Sequence, residues 1–188
     1  MELPKLRSSL QASPTVNRNG YTYFVHPLTD GVPPLEPSLL DEVTAGFMDI
    51  LPPDIDKIVG VEAMGLPVAV SLSLKSGKPL SVVRKRKYGL EGEVEVCQRT
   101  GYAQGKLYIN GIHQNDRILL IDDVLSTGGT LDGILGGIRK VGAQIMAVGV
   151  VVDKSSKGVR QNIEMKYDIK VYSLVRLTVD SSGVHLLS

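Results

Sequence analysis

Ile118-Leu119-Leu120-Ile121-Asp122-Asp123-Val124-Leu125-Ser126-Thr127-Gly128-Gly129-Thr130 is the stretch that decides how this chain reads. An apolar run of strand length ends in two adjacent carboxylates. A short Ser/Thr/Gly loop follows, then a segment, 131–141, with helical spacing. Carboxylates accept hydrogen bonds from sugar hydroxyls, and bare backbone N–H groups at a helix N-terminus bind phosphate. Gly128 and Gly129 carry no Cβ and let a phosphate come close, while Ser126, Thr127 and Thr130 add hydroxyl donors. No Lys follows the glycines, so this is not the nucleotide-triphosphate loop GxxxxGK[ST]. It is not GxGxxG either, which argues against a dinucleotide site. A sugar phosphate, with both hydroxyls and a phosphate to hold, fits the pattern.

The rest of the chain places that stretch in an α/β fold. Apolar strands are expected at 21–25, 58–61, 80–83, 117–121, 145–152, 170–174 and 184–187. Helices are expected at 38–51, 69–76, 131–141 and 163–167, and the first 20 residues read as mixed, with a turn near 17–20. Residues 26–37 hold Pro27, Pro33, Pro34 and Pro37 and read as a loop. Residues 89–111, rich in glycine, read as a two-stranded excursion. β-branched strands alternating with helices imply a mostly parallel, twisted sheet covered on both faces. Ligands in such sheets sit at the carboxyl ends of the strands, where the strand order reverses. Glu62–Gly65, Arg84–Lys87, Asp122–Thr130 and Asp153-Lys154 each follow an expected strand and so should converge on one edge.

Composition narrows the class. At 188 residues the chain is read as one domain, 1–188, with room for a full core. Its net charge of +1 gives no general drive toward nucleic acid or membrane, so any anion site must be local. Cys97 is the single cysteine, which leaves no intramolecular disulfide and fits a reducing cytoplasm. No apolar run approaches the length of a membrane span, and the N-terminus has no apolar signal core. The expectation is a cytoplasmic protein.

With these residues in view, the central stretch resembles the PRPP-binding motif of type I phosphoribosyltransferases: a hydrophobic strand, two acids, two apolar residues, a small residue, then Thr-Gly-Gly-Thr. Over nearly its whole length the chain is similar to the archaeal hypoxanthine/guanine phosphoribosyltransferases. The matching stretches are Tyr23-Phe24-Val25-His26-Pro27-Leu28-Thr29-Asp30-Gly31, Val61-Glu62-Ala63-Met64-Gly65, Arg84-Lys85-Arg86-Lys87-Tyr88-Gly89-Leu90, Gly92-Glu93-Val94-Glu95-Val96 and Leu107-Tyr108-Ile109-Asn110-Gly111. The resemblance implies the type I fold: a mostly parallel twisted sheet with helices on both faces, a flexible β-excursion and a small hood. It also implies transfer of a phosphoribosyl group from PRPP to a purine, in a homodimer.

The family's roles then fall on particular residues. Asp122 and Asp123 would bind the ribose hydroxyls and favour the sugar cation. Ser126, Thr127, Gly128, Gly129 and Thr130 would hold the 5′-phosphate. Glu62, Ala63, Met64 and Gly65 match the pyrophosphate loop. The cations Arg84, Arg86 and Lys87 are candidates for pyrophosphate; side chains alternate on an extended segment, so one pair points inward, and Arg84 with Arg86 is the preferred register, Arg86 also being counted with the catalytic acids. Arg99, Tyr102 and Lys106 lie where the family has its flexible catalytic loop. Lys154 resembles the residue that donates to O6 of a 6-oxopurine, which suits adenine poorly. Ser126 stands where many 6-oxopurine enzymes carry a third acid facing N7 of the base; Asp30 or His26 is the alternative for that proton. Mg2+ would arrive with PRPP, held by substrate oxygens and water, with no metal site in the protein itself. The competing readings are an adenine or xanthine acceptor, and a PRPP-sensing regulator on nucleic acid; the latter lacks a basic face or an added DNA-binding segment here.

Overall fold

The structure, a computed structural model, describes residues 2–18, 20–99 and 104–187. Helices α1 (Pro4–Gln11), α2 (Pro27–Asp30), α3 (Pro37–Ile50), α4 (Gly65–Ser76), α5 (Gly129–Val141) and α6 (Val159–Tyr167) surround the strands. Those are β1 (Thr15–Arg18), β2 (Tyr21–Phe24), β3 (Lys57–Val61), β4 (Leu80–Arg84), β5 (Val94–Arg99), β6 (Gln104–Ile109), β7 (Arg117–Leu125), β8 (Gln144–Asp153), β9 (Val171–Asp180) and β10 (Gly183–Leu186).

β7 shows why the apolar run is continuous rather than alternating. Leu119 and Ile121 point into a core shared with Phe47, Leu72 and Val151; Ile118 and Leu120 point the other way, against Ile134, Ile138 and Val148. Side chains alternate along a strand, so a strand covered on both faces needs apolar residues at every position. α1, α2, α3 and α4 cover the first face, and α5 with α6 covers the second. A fully buried Leu or Ile contributes roughly 1.5–3 kcal/mol, and both faces of β7 draw on that term.

One sheet of eight strands runs in the order β10-β9-β8-β7-β3-β4-β6-β5, beside a separate β1-β2 hairpin. The five central strands, β9 to β4, are parallel; β10, β6 and β5 join antiparallel. From β3 the chain first moves to β4 on one side, then returns to β7 on the other and continues outward through β8 and β9. The reversal lies between β3 and β7, and the carboxyl ends of those two strands carry Glu62 and Asp122.

Several elements differ from their sequence expectation. The expected strand 117–121 runs on to Leu125, because Asp122 and Val124 stay in register with Val150 and Val152 of β8. The acids are therefore held in the sheet rather than in the loop. Residues 26–37 are not wholly loop: Pro27 begins the one-turn α2, suited by its fixed backbone angle, and His26 Nδ1 accepts the Leu28 N–H at 3.2 Å. The N-terminal stretch contains α1, whose Leu6 and Leu10 are fully buried. The excursion 89–111 is a hairpin that extends the main sheet, since β6 pairs with β4 through Val83–Ile109 and Arg84–Tyr108. α4 starts at Gly65 rather than at 69, α6 at Val159 rather than at 163, and β9 runs to Asp180 rather than 174.

α1 depends on a neighbour for its N-terminus. Its N-cap, Leu3, offers no side-chain acceptor, and Glu42 of α3 supplies both carboxylate oxygens instead, to the N–H groups of Lys5 (3.2 Å) and Leu6 (2.8 Å). Those donors have no carbonyl within the helix and need an outside partner. Glu42→Ala should lower unfolding stability by about 1 kcal/mol, the usual cost of a lost cap, with an unchanged m-value in urea. An unchanged urea midpoint would mean that solvent caps α1 equally well.

Candidate active site

At the β3/β7 reversal lies a cavity of about 350 Å3. Its walls are the turn after β3 (Glu62, Ala63, Met64), the end of β7 with its loop (Asp122 to Gly128, then Thr130), Lys85 beyond β4, Gln98 of β5, Lys154 beyond β8, and Tyr21, Tyr23, Phe24, Thr29 and Asp30 from the N-terminal part. A larger cleft of about 710 Å3 lies behind the loop, among β5, α5 and α6. It contains neither acid of β7 nor the turn after β3, and its Lys166 is already paired with Asp132 at 2.5 Å. Both acids of β7 and the turn after β3 lie in the smaller one.

Two helices open on this cavity. α4 begins at Gly65 directly after the 62–64 turn, in which the Glu62–Ala63 peptide is cis, and α5 begins at Gly129. A helix start offers unsatisfied N–H groups and a positive dipole end. Both helix starts thus lie beside the one cavity that holds the acid pair. The approach is tight: a Cβ on Gly65 would lie 2.9 Å from the Ile121 carbonyl oxygen and 3.0 Å from Asp122 Cα. Gly128 caps α5 at φ 79°, a conformation that disfavours any side chain. Thr130, in the first turn, accepts from Gln98 Nε2 at 3.3 Å, so β5 is tied to the loop.

The acid pair is electrostatically unrelieved. Both carboxylates are half-buried, and the Asp123 N–H donates to Asp122 Oδ1 at 2.9 Å. Burial, and then the neighbouring Asp123 charge, push Asp122 well above the usual carboxylate range; burial raises Asp123 as well. Asp30 adds a further acid on that side. Glu62 accepts the Lys85 N–H at 3.0 Å and faces Arg84 Nε at 3.5 Å. Among the described residues the charged lining is four acids (Asp30, Glu62, Asp122, Asp123) against two cations (Lys85, Lys154). A polyphosphate entering here needs accompanying positive charge. These hard oxygen donors suit Mg2+ shared with the ligand's own oxygens, and among the described residues no group of three His, Cys, Asp or Glu could cage a metal alone.

At the far end, Lys154 is steered by its surroundings. Its N–H donates to the Leu125 carbonyl at 2.9 Å, which ties the end of β8 to that of β7. Its Nζ sits 5.2 Å from the Tyr21 ring, 5.5 Å from Tyr23 and 5.5 Å from Phe24. Three aromatic faces hold an ammonium by cation–π attraction and leave it directed at the cavity. The neighbouring Asp153 is almost fully buried and accepts from the Ser155 N–H (2.9 Å) and hydroxyl (2.6 Å), with Arg176 Nε at 3.5 Å.

Most of the residues singled out in the sequence meet in this cavity: Asp122, Asp123, Ser126, Thr127, Gly128, Thr130, Glu62, Ala63, Met64, Asp30 and Lys154 line it, and Gly65 and Gly129 start the two helices beside it. Others do not. His26 is 1% exposed, its Nε2 lies 2.9 Å from Ser9 Oγ, and its Nδ1 is spent on α2, so it is a structural residue and not a base contact. Arg84 and Arg86 are not among the lining residues; both lie against the Tyr88 ring, at 5.8 and 5.7 Å, while Lys85 lines the cavity. Lys87 is exposed and outside the lining. Lys106 pairs with Glu95 across the hairpin at 2.6 Å and does not line the cavity. Arg99 ends β5, but its side chain, like the whole of Tyr102, lies outside the described residues. Gln98 and the aromatic set of β2 went unassigned in the sequence, since nothing local ties a short aromatic strand to a lysine 130 residues on.

With this geometry in hand, the class is defined. Residues 47–181 match the family described as phosphoribosyl transferase domain, and the chain belongs to that family. It is 49% identical over 184 residues to the hypoxanthine/guanine phosphoribosyltransferase of Methanohalobium evestigatum (98% of this chain, 95% of that one). To the protein of the same name from Methanosalsum zhilinae it is 50% identical over 182 residues (97% and 94%). Among solved structures it is similar to the adenine phosphoribosyltransferase of Thermoanaerobacter pseudethanolicus, with a TM-score of 0.76 at 17% identity over 93% of this chain and 99% of that one. The Giardia lamblia adenine enzyme complexed with 9-deazaadenine gives 0.73 at 21% identity (94% and 98%). These last two likenesses speak to the fold, which is that of the type I phosphoribosyltransferases.

Two outcomes follow from the corrected positions. Lys85→Ala should raise KM for the pyrophosphate-bearing substrate at least several-fold more than Arg86→Ala, measured by initial rates; the reverse order would restore the Arg84/Arg86 register. For His26, burial lowers its pKa from 6.5 to about 4, against a smaller opposing pull from Asp30. The folded state therefore binds fewer protons than the unfolded one below pH 6.5. Stability is fully present above that pH and is lost as pH falls toward 4, by up to about 3 kcal/mol. Urea midpoints at pH 7 and pH 5 should differ accordingly, and the difference should shrink in His26→Asn.

Proposed function

We propose that this chain is a purine-salvage enzyme that transfers the 5-phosphoribosyl group of PRPP to hypoxanthine or guanine, giving IMP or GMP and pyrophosphate. The observation that carries the reading is the shared cavity: an acid pair flanked by two helix N-termini, and, at its far end, a lysine held by three aromatic rings. A substrate with two phosphate groups on either side of a dihydroxy sugar matches the first three parts. A base with a carbonyl at position 6 matches the lysine, which can only donate. Relatives at 49% and 50% identity carry the same activity in their names. The likeness to adenine enzymes is one of fold and leaves the choice of base to Lys154.

The chemistry breaks the anomeric C–O bond, its electron pair leaving with pyrophosphate, while N9 of the base attacks C1′. Positive charge grows on the ring, as in glycoside transfer. In this reading Asp122 and Asp123 accept the ribose hydroxyls and oppose that charge across a short distance. The N–H groups at the start of α5, with Ser126, Thr127 and Thr130, hold the 5′-phosphate, and those at the start of α4, with Lys85, hold pyrophosphate. Positioning and charge stabilisation do most of the work in such a site. Mg2+ arriving with the substrate would neutralise the leaving group, and Asp122, Asp123 and Glu62 are the side chains that would offer it oxygen donors.

The double variant Asp122→Asn, Asp123→Asn should lower kcat/KM for hypoxanthine by roughly two to four decades, the scale of a lost electrostatic stabiliser; near-normal turnover would remove the acids from the sugar site. Lys154→Ala, assayed with hypoxanthine, guanine and adenine in parallel, should lose oxopurine activity far more than any adenine activity. Equal losses for all three bases would take Lys154 out of base recognition.

A further inference from the structure

Among the described residues, Gln98 is the one that the β5–β6 hairpin sends into the cavity lining. Its Nε2 donates to Thr130 Oγ1, in the first turn of α5, at 3.3 Å. The packing of β5 on α5 delivers it there. β5 runs against the helix direction: Val96 meets Gly137, the Cys97 carbonyl meets Gly133, and Gln98 arrives at Thr130. Positions 130, 133 and 137 share one helix face. A Cβ on Gly133 would collide with the Cys97 carbonyl oxygen, and one on Gly137 with Val96 Cγ1 and Ile109 Cδ1, so the strand lies directly on the helix backbone. Across the hairpin Gln98 is paired with Gly105, where a Cβ would lie 3.5 Å from Gln98 Oε1. The amide oxygen is thus on the β6 side and the amide nitrogen on the α5 side.

That orientation decides what the Thr130 hydroxyl can do. A hydroxyl has one O–H and two lone pairs, whereas an amide nitrogen can only donate. Gln98 takes one lone pair of Thr130 Oγ1 and leaves the hydroxyl hydrogen for another acceptor. Thr130 follows Gly128 and Gly129 at the start of α5, where the helix N–H groups also want an acceptor. A phosphate oxygen accepts from both. Resting on the transferase reading above, we infer that Gln98 is a positioning residue for the 5′-phosphate: it holds the Thr130 hydroxyl as a donor to that group. The effect runs both ways. A hydroxyl that donates to an anion becomes a better acceptor, so the phosphate tightens the hold of Thr130 on Gln98 and thereby of α5 on the hairpin.

Two substitutions separate positioning from support of the fold. Gln98→Met keeps the unbranched stem and removes the amide. Gln98→Glu puts an acceptor where the donor was, which would take the Thr130 hydrogen for itself and add negative charge beside the phosphate. Calorimetry with ribose 5-phosphate reads the 5′-phosphate site alone, and magnesium pyrophosphate is the control ligand. Gln98→Met should weaken ribose 5-phosphate about tenfold, the worth of one hydrogen bond, and Gln98→Glu more, with pyrophosphate affinity unchanged. In turnover, KM for PRPP should rise in proportion while kcat stays within about twofold. Added to Thr130→Val, Gln98→Met should cost nothing further, because the two residues act as one unit.

Unchanged ribose 5-phosphate affinity in both Gln98 variants overturns the proposal. So does a full loss on top of Thr130→Val, which would make Gln98 a direct contact, or an equal weakening of both ligands, which would make it a general support of the fold. Wild-type protein that binds ribose 5-phosphate but turns over no purine with PRPP would overturn the transferase reading instead, and the binding results would still decide the part assigned to Gln98.

Discussion

The site depends on how closely the start of α4 can approach the end of β7. The Gly65 backbone lies where even one methyl group would reach 2.9 Å from the Ile121 carbonyl. That contact brings the turn after β3 and the acids of β7 together in a single cavity. It is possible because β3 and β7 are adjacent parallel strands on which the chain reverses direction. A helix that follows the first of them must start beside the last turn of the second. The packing of two apolar faces on β7 holds that arrangement, so the core and the chemistry share one strand.

The electrostatics of the cavity follow from this geometry rather than from the chain's composition. The chain carries a net charge of only +1, yet among the described residues its cavity sets four acids against two cations. Two helix dipoles point at those acids from either side. In the transferase reading, anion binding rests on N–H groups and on charge that arrives with the ligand, while burial raises both carboxyls above the usual range until hydroxyls or a cation relieve them. Such a site favours a ligand that is anionic at its ends and can bear positive charge at its centre.

Much of this was legible in the sequence, for reasons that differ by residue. The run Ile118–Thr130 announces itself because strand, acids, small residues and helix start are contiguous, and each has a local cause. Glu62–Gly65 and Lys154 were placed by their position after apolar strands. What sequence hid was which cation after β4 meets the cavity: Arg84 and Arg86 drew attention by charge, but the strand ends at Arg84 and Lys85, in the bend beyond it, is the one in the lining. His26 showed the same difficulty, since a capping bond and a bond to Ser9 are invisible until α1 and α2 are packed. Tyr21, Tyr23 and Phe24 required a contact between the two ends of the chain, for which no spacing rule exists.

The measurement that tests this account most directly is a substrate panel on the purified protein with Mg2+ and PRPP, offering hypoxanthine, guanine, xanthine and adenine separately and scoring both pyrophosphate and nucleotide. The account predicts turnover of hypoxanthine and guanine, with adenine the poorest acceptor of the four. Turnover of adenine alone would contradict the part assigned to Lys154, and silence with every base would contradict the transferase reading as a whole.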